Sequence, residues 1–148
     1  MTKPASTKQV AESLEKEAPG CVIESSDNDI VVKPESLSAV ASYLKNSPEM
    51  DFDYLNWVTA VDYPEHFLVV YNLVSLKNNL SLTLKVPCND RENPTVPSLV
   101  GIWKGADLQE REIFDLMGIR FENHPNLKRI VLWDDFIGYP LRKDFKQE

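Results

Sequence analysis

The sequence predicts an α+β fold, a two-layer domain with helices on a mixed, mainly antiparallel sheet, followed by an extended C-terminal tail. Three observations carry the prediction. Two segments, from about Ser6 to Ala18 and from Pro34 to just before Pro48, repeat apolar residues at helical spacing. Between Leu80 and Val86, leucine and valine alternate with Ser81, Thr83 and Lys85, which marks a half-buried antiparallel strand. After Gly118 both kinds of periodicity stop.

Taken in order, the first helix places Val10, Leu14 and Ala18 on one face, with Ser6 or Thr7 as its cap and Pro19-Gly20 as its stop. Cys21 to Glu24 and Ile30 to Val32 read as two short strands. The polar run Ser25 to Asp29 joins them as a hairpin. The second helix begins at Pro34, where a missing N–H costs nothing, and Leu37, Val40, Ala41 and Leu44 form its buried face. Three strands follow as a meander: Tyr54 to Val61, His66 to Leu76, and the strand beginning at Leu80. The loop from Pro87 to Pro97 is rich in proline, asparagine and charge. A third helix runs from about Leu108 to Met117, with Asp107 as its cap, Glu110 completing a capping box and Gly118 ending it. The order is α-β-β-α-β-β-β-α-tail. Residues 1–118 form the α+β domain and residues 119–148 a C-terminal partner-binding tail.

The composition excludes several functions. With 148 residues, 43% of them hydrophobic, the chain can bury one ordinary core. Its net charge of −7 repels phosphate backbones, so nucleic acid is not expected as a partner. Residues 119–148 hold six bases against five acids, a charge of +1, so the rest of the chain carries −8. Cys21 and Cys88 stand outside any paired motif and are expected to be reduced thiols of a cytosolic protein. The N-terminus has no apolar core of a secretory signal, and the longest apolar-rich run, Phe67 to Leu76, is too short and polar to span a bilayer. A role at a membrane would therefore run through partners, without direct insertion.

Cofactor and catalytic motifs are equally sparse. The five glycines form no dinucleotide fingerprint or phosphate loop. Two isolated cysteines cannot supply four thiolates to an iron–sulfur cluster, and His66 and His124 are far apart in the chain. No G-x-S-x-G elbow occurs. No cofactor, metal or catalytic residue is expected in this chain.

The densest polar cluster is Glu110-Arg111-Glu112-Ile113-Phe114-Asp115 on the third helix. Glu110 shares a face with Ala106, Phe114 and Met117, so a buried carboxylate there needs a donor. Arg111 and Asp115 lie one helical turn apart and are expected to pair. An enzyme using Glu110, Glu112 and Asp115 as acid and base is the reading from another class; it predicts turnover by the isolated chain. In the tail, five aromatics without periodicity either fold back on the domain's own sheet or anchor a partner. Trp133, Phe136, Tyr139 and Arg142 are the anchors the second reading names.

The segments Glu110 to Ile119, Asn123 to Ile130, Trp133 to Pro140 and Leu141 to Phe145 resemble, in order, the motifs of the C-subunit family of complex I, known as the J subunits in chloroplast and cyanobacterial enzymes. Upstream, Tyr54 to Pro64, Val86-Pro87 and Pro94 to Ser98 are similar to the family's central strand and to the loop before its signature helix. The departures are small: Met117 stands at a position where many members have Phe, Trp133 where Pro is common, and Phe145 replaces Tyr. The resemblance implies a non-redox component of the peripheral arm of a proton-pumping quinone oxidoreductase (an NADH dehydrogenase of complex I type), on the cytoplasmic side of the membrane. Its expected partners in complex I are the B subunit, which carries the terminal iron–sulfur cluster, the D subunit, which holds the quinone site, and other peripheral-arm subunits. It implies interface roles for Glu110, Arg111, Glu112, Asp115, His124, Trp133, Phe136, Tyr139, Arg142, Lys143 and Asp144. The equivalent component of a membrane-bound hydrogenase or a ferredoxin:quinone oxidoreductase is the alternative, since other polypeptides would choose between NADH, ferredoxin and hydrogen as donor.

Overall fold

A computed structural model describes residues 2–146. Its elements are β1 (Lys3–Pro4), α1 (Thr7–Glu17), β2 (Val22–Ser25), β3 (Ile30–Val32), a 3-10 turn (Pro34–Ser36), α2 (Leu37–Asn46), β4 (Tyr54–Asp62), β5 (Phe67–Ser75), β6 (Leu80–Cys88), β7 (Thr95–Pro97), α3 (Ala106–Met117) and β8 (Arg120–Glu122). The main sheet has the order β2-β3-β6-β5-β4, with β1 also pairing with β6. The expected hairpin β2–β3 and the meander β4–β5–β6 are antiparallel, whereas β1 and β3 run parallel to β6. The result is the α+β two-layer fold, with a mixed and mainly antiparallel sheet.

Local chemistry sets the element ends. The Ser6 hydroxyl accepts from Gln9 N (3.4 Å) to cap α1. The Glu15 carboxylate receives Gly20 N (2.7 Å) and Val22 N (2.9 Å), which lowers its pKa and ties the end of α1 to β2. Pro34 opens the 3-10 turn that leads into α2. Leu37, Val40, Ala41 and Leu44 are all buried, as their spacing predicts.

Strand alternation sorts the sheet. Phe67, Val69, Tyr71 and Leu73 on β5 point with Leu82, Leu84 and Val86 on β6 into the core, where Leu14, Leu37 and Leu44 of α1 and α2 and Ile113 and Met117 of α3 meet them. Full burial of a side chain such as Leu or Phe contributes about 1.5–3 kcal/mol each, so this layer dominates stability. Both cysteines are free and buried. Burial pushes the Cys88 thiol up to about 12, which keeps it protonated and unreactive.

Two expectations change at α3. The helix starts at Ala106, one residue before Asp107, and its N-cap is Gly105 with no side-chain cap bond. Asp107 therefore sits inside the first turn, and Glu110 does not complete a capping box. Residues 119–122, assigned from the sequence to the tail, belong to the body. Ile119 and Phe121 are buried in the core, and β8 pairs in parallel with β7. A three-residue strand is too short to show alternation, which is why β7 and β8 leave no periodic signal.

Candidate functional site

Helix α3 is the platform of the site, and its carboxylates and C-terminal carbonyls hold other segments against it. Glu110 is fully buried. Its Oε1 accepts from the Ser98 hydroxyl (2.5 Å) and its Oε2 from Leu99 N (2.9 Å), so it pins the loop after β7. The donor that a buried carboxylate requires is thus found within the chain. Burial raises the Glu110 pKa against the opposing pull of those two hydrogen bonds.

Asp115, further along the helix, is also fully buried. Its Oδ2 accepts from three successive backbone amides, Ile130 (3.0 Å), Val131 (2.6 Å) and Leu132 (2.9 Å). Its Oδ1 receives Arg129 Nη1 at 2.8 Å. Burial pushes this carboxyl up, but the amides and the guanidinium together outweigh it and hold the pKa below the usual range. The expected Arg111–Asp115 pair does not form. Arg111 Nε instead donates to the Lys128 carbonyl (3.3 Å), because Arg129 reaches Asp115 from the tail side. Helical spacing identifies which neighbours are near but carries no knowledge of a cation arriving from another segment.

The C-terminal end of α3 holds the rest of the tail. Gly118 caps the helix in the left-handed conformation at φ +73°, and a Cβ there would lie 2.6 Å from the Tyr139 ring and 2.7 Å from Arg142 Nη2. Arg142 donates from Nε to the Met117 carbonyl (2.6 Å), where the helix dipole favours a cation. Leu141 N donates to the Leu116 carbonyl (2.9 Å). Lys143 N donates to Asp62 Oδ2 (2.8 Å), and Arg91 Nη1 donates to Asp62 Oδ1 (2.5 Å). These contacts lower the pKa of Asp62, with the Arg91 hydrogen bond the largest cause.

Between these anchors runs a ladder of cations and rings. Phe67 lies between Arg91 (4.5 Å) and Arg142 (5.0 Å), and Tyr139 between Arg142 (4.9 Å) and Arg129 (5.1 Å). Arg129 also lies over Phe136 (5.6 Å), whose ring meets Trp133 edge-on (5.2 Å) and stacks with Phe145 (6.1 Å). Of the five aperiodic aromatics, Trp133, Phe136, Tyr139 and Phe145 take part in these stacks, and Phe121 lies in the core.

The remaining site residues fall around this frame. The His124 ring is buried; its Nδ1 accepts from Asn126 N (2.9 Å) and its Nε2 lies 3.0 Å from Asp107 Oδ1. These contacts tie the start of the tail to the first turn of α3. Glu112 is exposed and lines a groove with Gln109, Leu116 and Leu141. Lys143 and Asp144 are exposed beside Arg91, and Asp144 Oδ2 is 3.7 Å from Arg91 Nη2. Tyr139 is half-buried in the ladder, Phe136 and Arg142 keep part of their surface in it, and Trp133 is 66% exposed. Sequence reasoning missed Asp62, Arg91 and Arg129 as anchors, and Val131, Ile137 (89% exposed) and Leu141 as outward-facing apolar residues. Asp62, at the end of β4, could have been found as an acid at a strand position whose side chain turns inward.

Asp62, Glu110, Asp115 and the carbonyls at the end of α3 each hold another segment of the chain in place. Among the described residues, no group of three or more histidine, cysteine or acidic side chains is placed to hold a metal ion. No described helix is long and apolar enough to cross a membrane. A cleft of about 720 Å³ opens on the tail, lined by Trp133, Phe136, Ile137, Tyr139, Arg142 and Phe145 among others.

Comparison with known proteins identifies the family and the fold. The family model described as "Respiratory-chain NADH dehydrogenase, 30 Kd subunit" matches residues 30–148. The C subunit of NADH-quinone oxidoreductase from Roseiflexus sp. (strain RS-1) is 42% identical over 142 residues, covering 91% of this chain and 81% of that protein. The corresponding C subunit from Moorella thermoacetica is 47% identical over 119 residues, covering 79% and 78%. A chain in the structure of the membrane-bound sulfane sulfur reductase, an archaeal respiratory membrane complex, superposes with a TM-score of 0.77 at 22% identity, covering 94% of this chain and 85% of that one; this likeness is one of fold. The chain belongs to the 30 kDa family of respiratory NADH dehydrogenase components, the C subunits of the bacterial enzymes.

Proposed function

We propose, from that family membership, that this chain is a non-redox component of the peripheral arm of a proton-pumping NADH:quinone oxidoreductase. It is positioned on the cytoplasmic side of the membrane, as a scaffold between the cluster-bearing B and the quinone-site D subunits. The observation that carries the scaffold reading is the tail. Residues 127–146 are fastened to α3 and β4 through backbone and charged groups, yet Val131, Trp133, Ile137 and Leu141 face outward. A segment whose polar groups are satisfied internally while its apolar side chains are exposed is pre-ordered for a partner, so less ordering entropy is lost on docking. Glu110 and Asp115 act in this reading by shaping the surface, and the partner meets Trp133, Ile137 and Leu141. Purification of the complex through a tagged chain tests it. Wild type should bring down the B and D subunits in stoichiometric amounts, and Trp133→Ala with Ile137→Ala should lose them while the tagged chain stays folded. Undiminished recovery of both partners from that double variant would remove the tail from the interface.

A further inference from the structure

The helices pack on one face of the main sheet, and among the described residues no helix covers the opposite face. Alternation assigns to it Leu68, Val70, Asn72 and Val74 on β5. Their register partners Val61, Thr59, Trp57 and Tyr54 on β4 lie beside them on the same side. Leu68, Val70 and Val74 are buried yet lie outside the main core. Large cross-strand neighbours shield them, with no second layer above among the described residues. Tyr54, Trp57 and Val61 are exposed, and a register shift between Leu55 and Trp57 turns Asn56 outward beside Trp57, where its amide donates to Asn72 Oδ1 (3.0 Å). At the β2–β3 end the face deepens into a groove of about 610 Å³ lined by Ile23, Glu24, Val31, Tyr63, Leu68 and Lys85 among others.

Charge tells what fits. Lys85, the one lysine or arginine lining the groove among the described residues, is already paired with Asp29 at 2.9 Å. Glu24 in the groove and Glu65 in the turn bordering it are exposed, and neither makes an ion pair among the described residues. The face is therefore apolar with an acidic rim. Its far edge joins the tail's anchorage, because Asp62 and Tyr63 at the end of β4 bind Arg91, and Asp62 also receives Lys143 N.

The geometry points to a second protein interface on this bare sheet face, for a surface of another component of the same assembly that presents an aliphatic or aromatic side chain flanked by lysine or arginine. An apolar patch with a polar rim is what protein partners cover, and the acidic rim selects a basic complement. This surface is separate from the exposed side chains of the tail, so it stands or falls independently of the tail's docking.

The test uses the full chain within the purified complex. The photoreactive residue p-benzoylphenylalanine replaces Trp57 or Ile23 on the face, Ile137 on the tail, or Lys16 on the exposed side of α1 as a control. Captured peptides are identified by mass spectrometry. The expected result is capture of one other component of the complex from both Trp57 and Ile23, at least about tenfold above Lys16, through a peptide carrying apolar and basic residues. Glu24→Lys and Glu65→Lys should each lower that capture by about two- to fivefold, the range that rim charge pairs support. If either face substitution prevents assembly, Thr83→p-benzoylphenylalanine on the same face is read in its place. Capture no higher than at Lys16, capture only of a second copy of this chain, or capture of an acidic peptide overturns the proposal. Capture from Ile137 without capture from the face refutes this interface and leaves the tail reading standing.

Discussion

Replacing Asp115 by alanine probes how the tail is held. The carboxylate accepts three amides and one guanidinium, and all four donors come from residues 129–132. Hydrogen bonds to a charged group contribute about 1.5–3 kcal/mol each. They share one acceptor group and are not additive. Removing one member of a buried charge pair costs about 3–5 kcal/mol, and we take that range for the whole cluster. Part of the stranded charge is relieved locally, because Arg129 keeps the Gly138 carbonyl (2.8 Å) and the Asp115 backbone carbonyl (3.0 Å). The main core contains no residue from 129–146, so the cost should appear as local opening of the tail. Amide exchange at Ile130, Val131 and Leu132 should accelerate about 140- to 3,700-fold, or to the limit of their protection, at tenfold per 1.4 kcal/mol. The body should keep a cooperative melting transition. Asp115→Asn, which keeps an acceptor oxygen, should fall between the two. Unchanged exchange at those three amides would show that the loop is held by something else. Loss of the body's melting transition would show that the tail is part of the core.

Acid should act in two directions. Asp62 and Asp115 have lowered pKa values, so their stabilisation is complete above the unfolded carboxylate value of about 4 and is lost as pH falls below it through their folded values. Glu110 is raised, so the folded chain takes up its proton first and stability should increase as pH falls through its raised folded value toward the unfolded value of about 4.3; denaturant midpoints against pH should show that rise, and Glu110→Gln should flatten it. A chain ending at Gly118 lacks the buried Ile119 and Phe121 and strand β8, and should lose at least about 3 kcal/mol of stability, whereas a chain ending at Lys128 should melt like the full body. Trp133→Ala should weaken assembly by on the order of 2 kcal/mol without moving the melting temperature of the isolated chain; an equal loss in both would make it a packing residue. The purified chain should be colourless and free of stoichiometric iron or zinc by elemental analysis.

Apolar spacing determined α1, α2, the central meander and the buried faces of the two helices, because those segments are long enough for it to repeat, whereas the hairpin was read from its polar turn and α3 from the Gly118 that ends it. The resemblance of residues 110–145 to the C-subunit family was legible in the same way, as uncommon local motifs in order. Other features depended on segments meeting across the chain. The parallel placement of β3 beside β6 was decided by a crossover through α2, β4 and β5, which neither strand encodes locally. Glu110 reads as an acid on an apolar stripe, and only the approach of Ser98 and Leu99 made it an internal anchor. Asp115 stands one turn from Arg111, yet Arg129 and three tail amides took its lone pairs. The tail, too, has a definite path for this reason. Its order comes from carbonyls at the end of α3, from Asp62 and Asp115, and from rings stacked between arginines, none of which needs a repeat in the sequence that forms it.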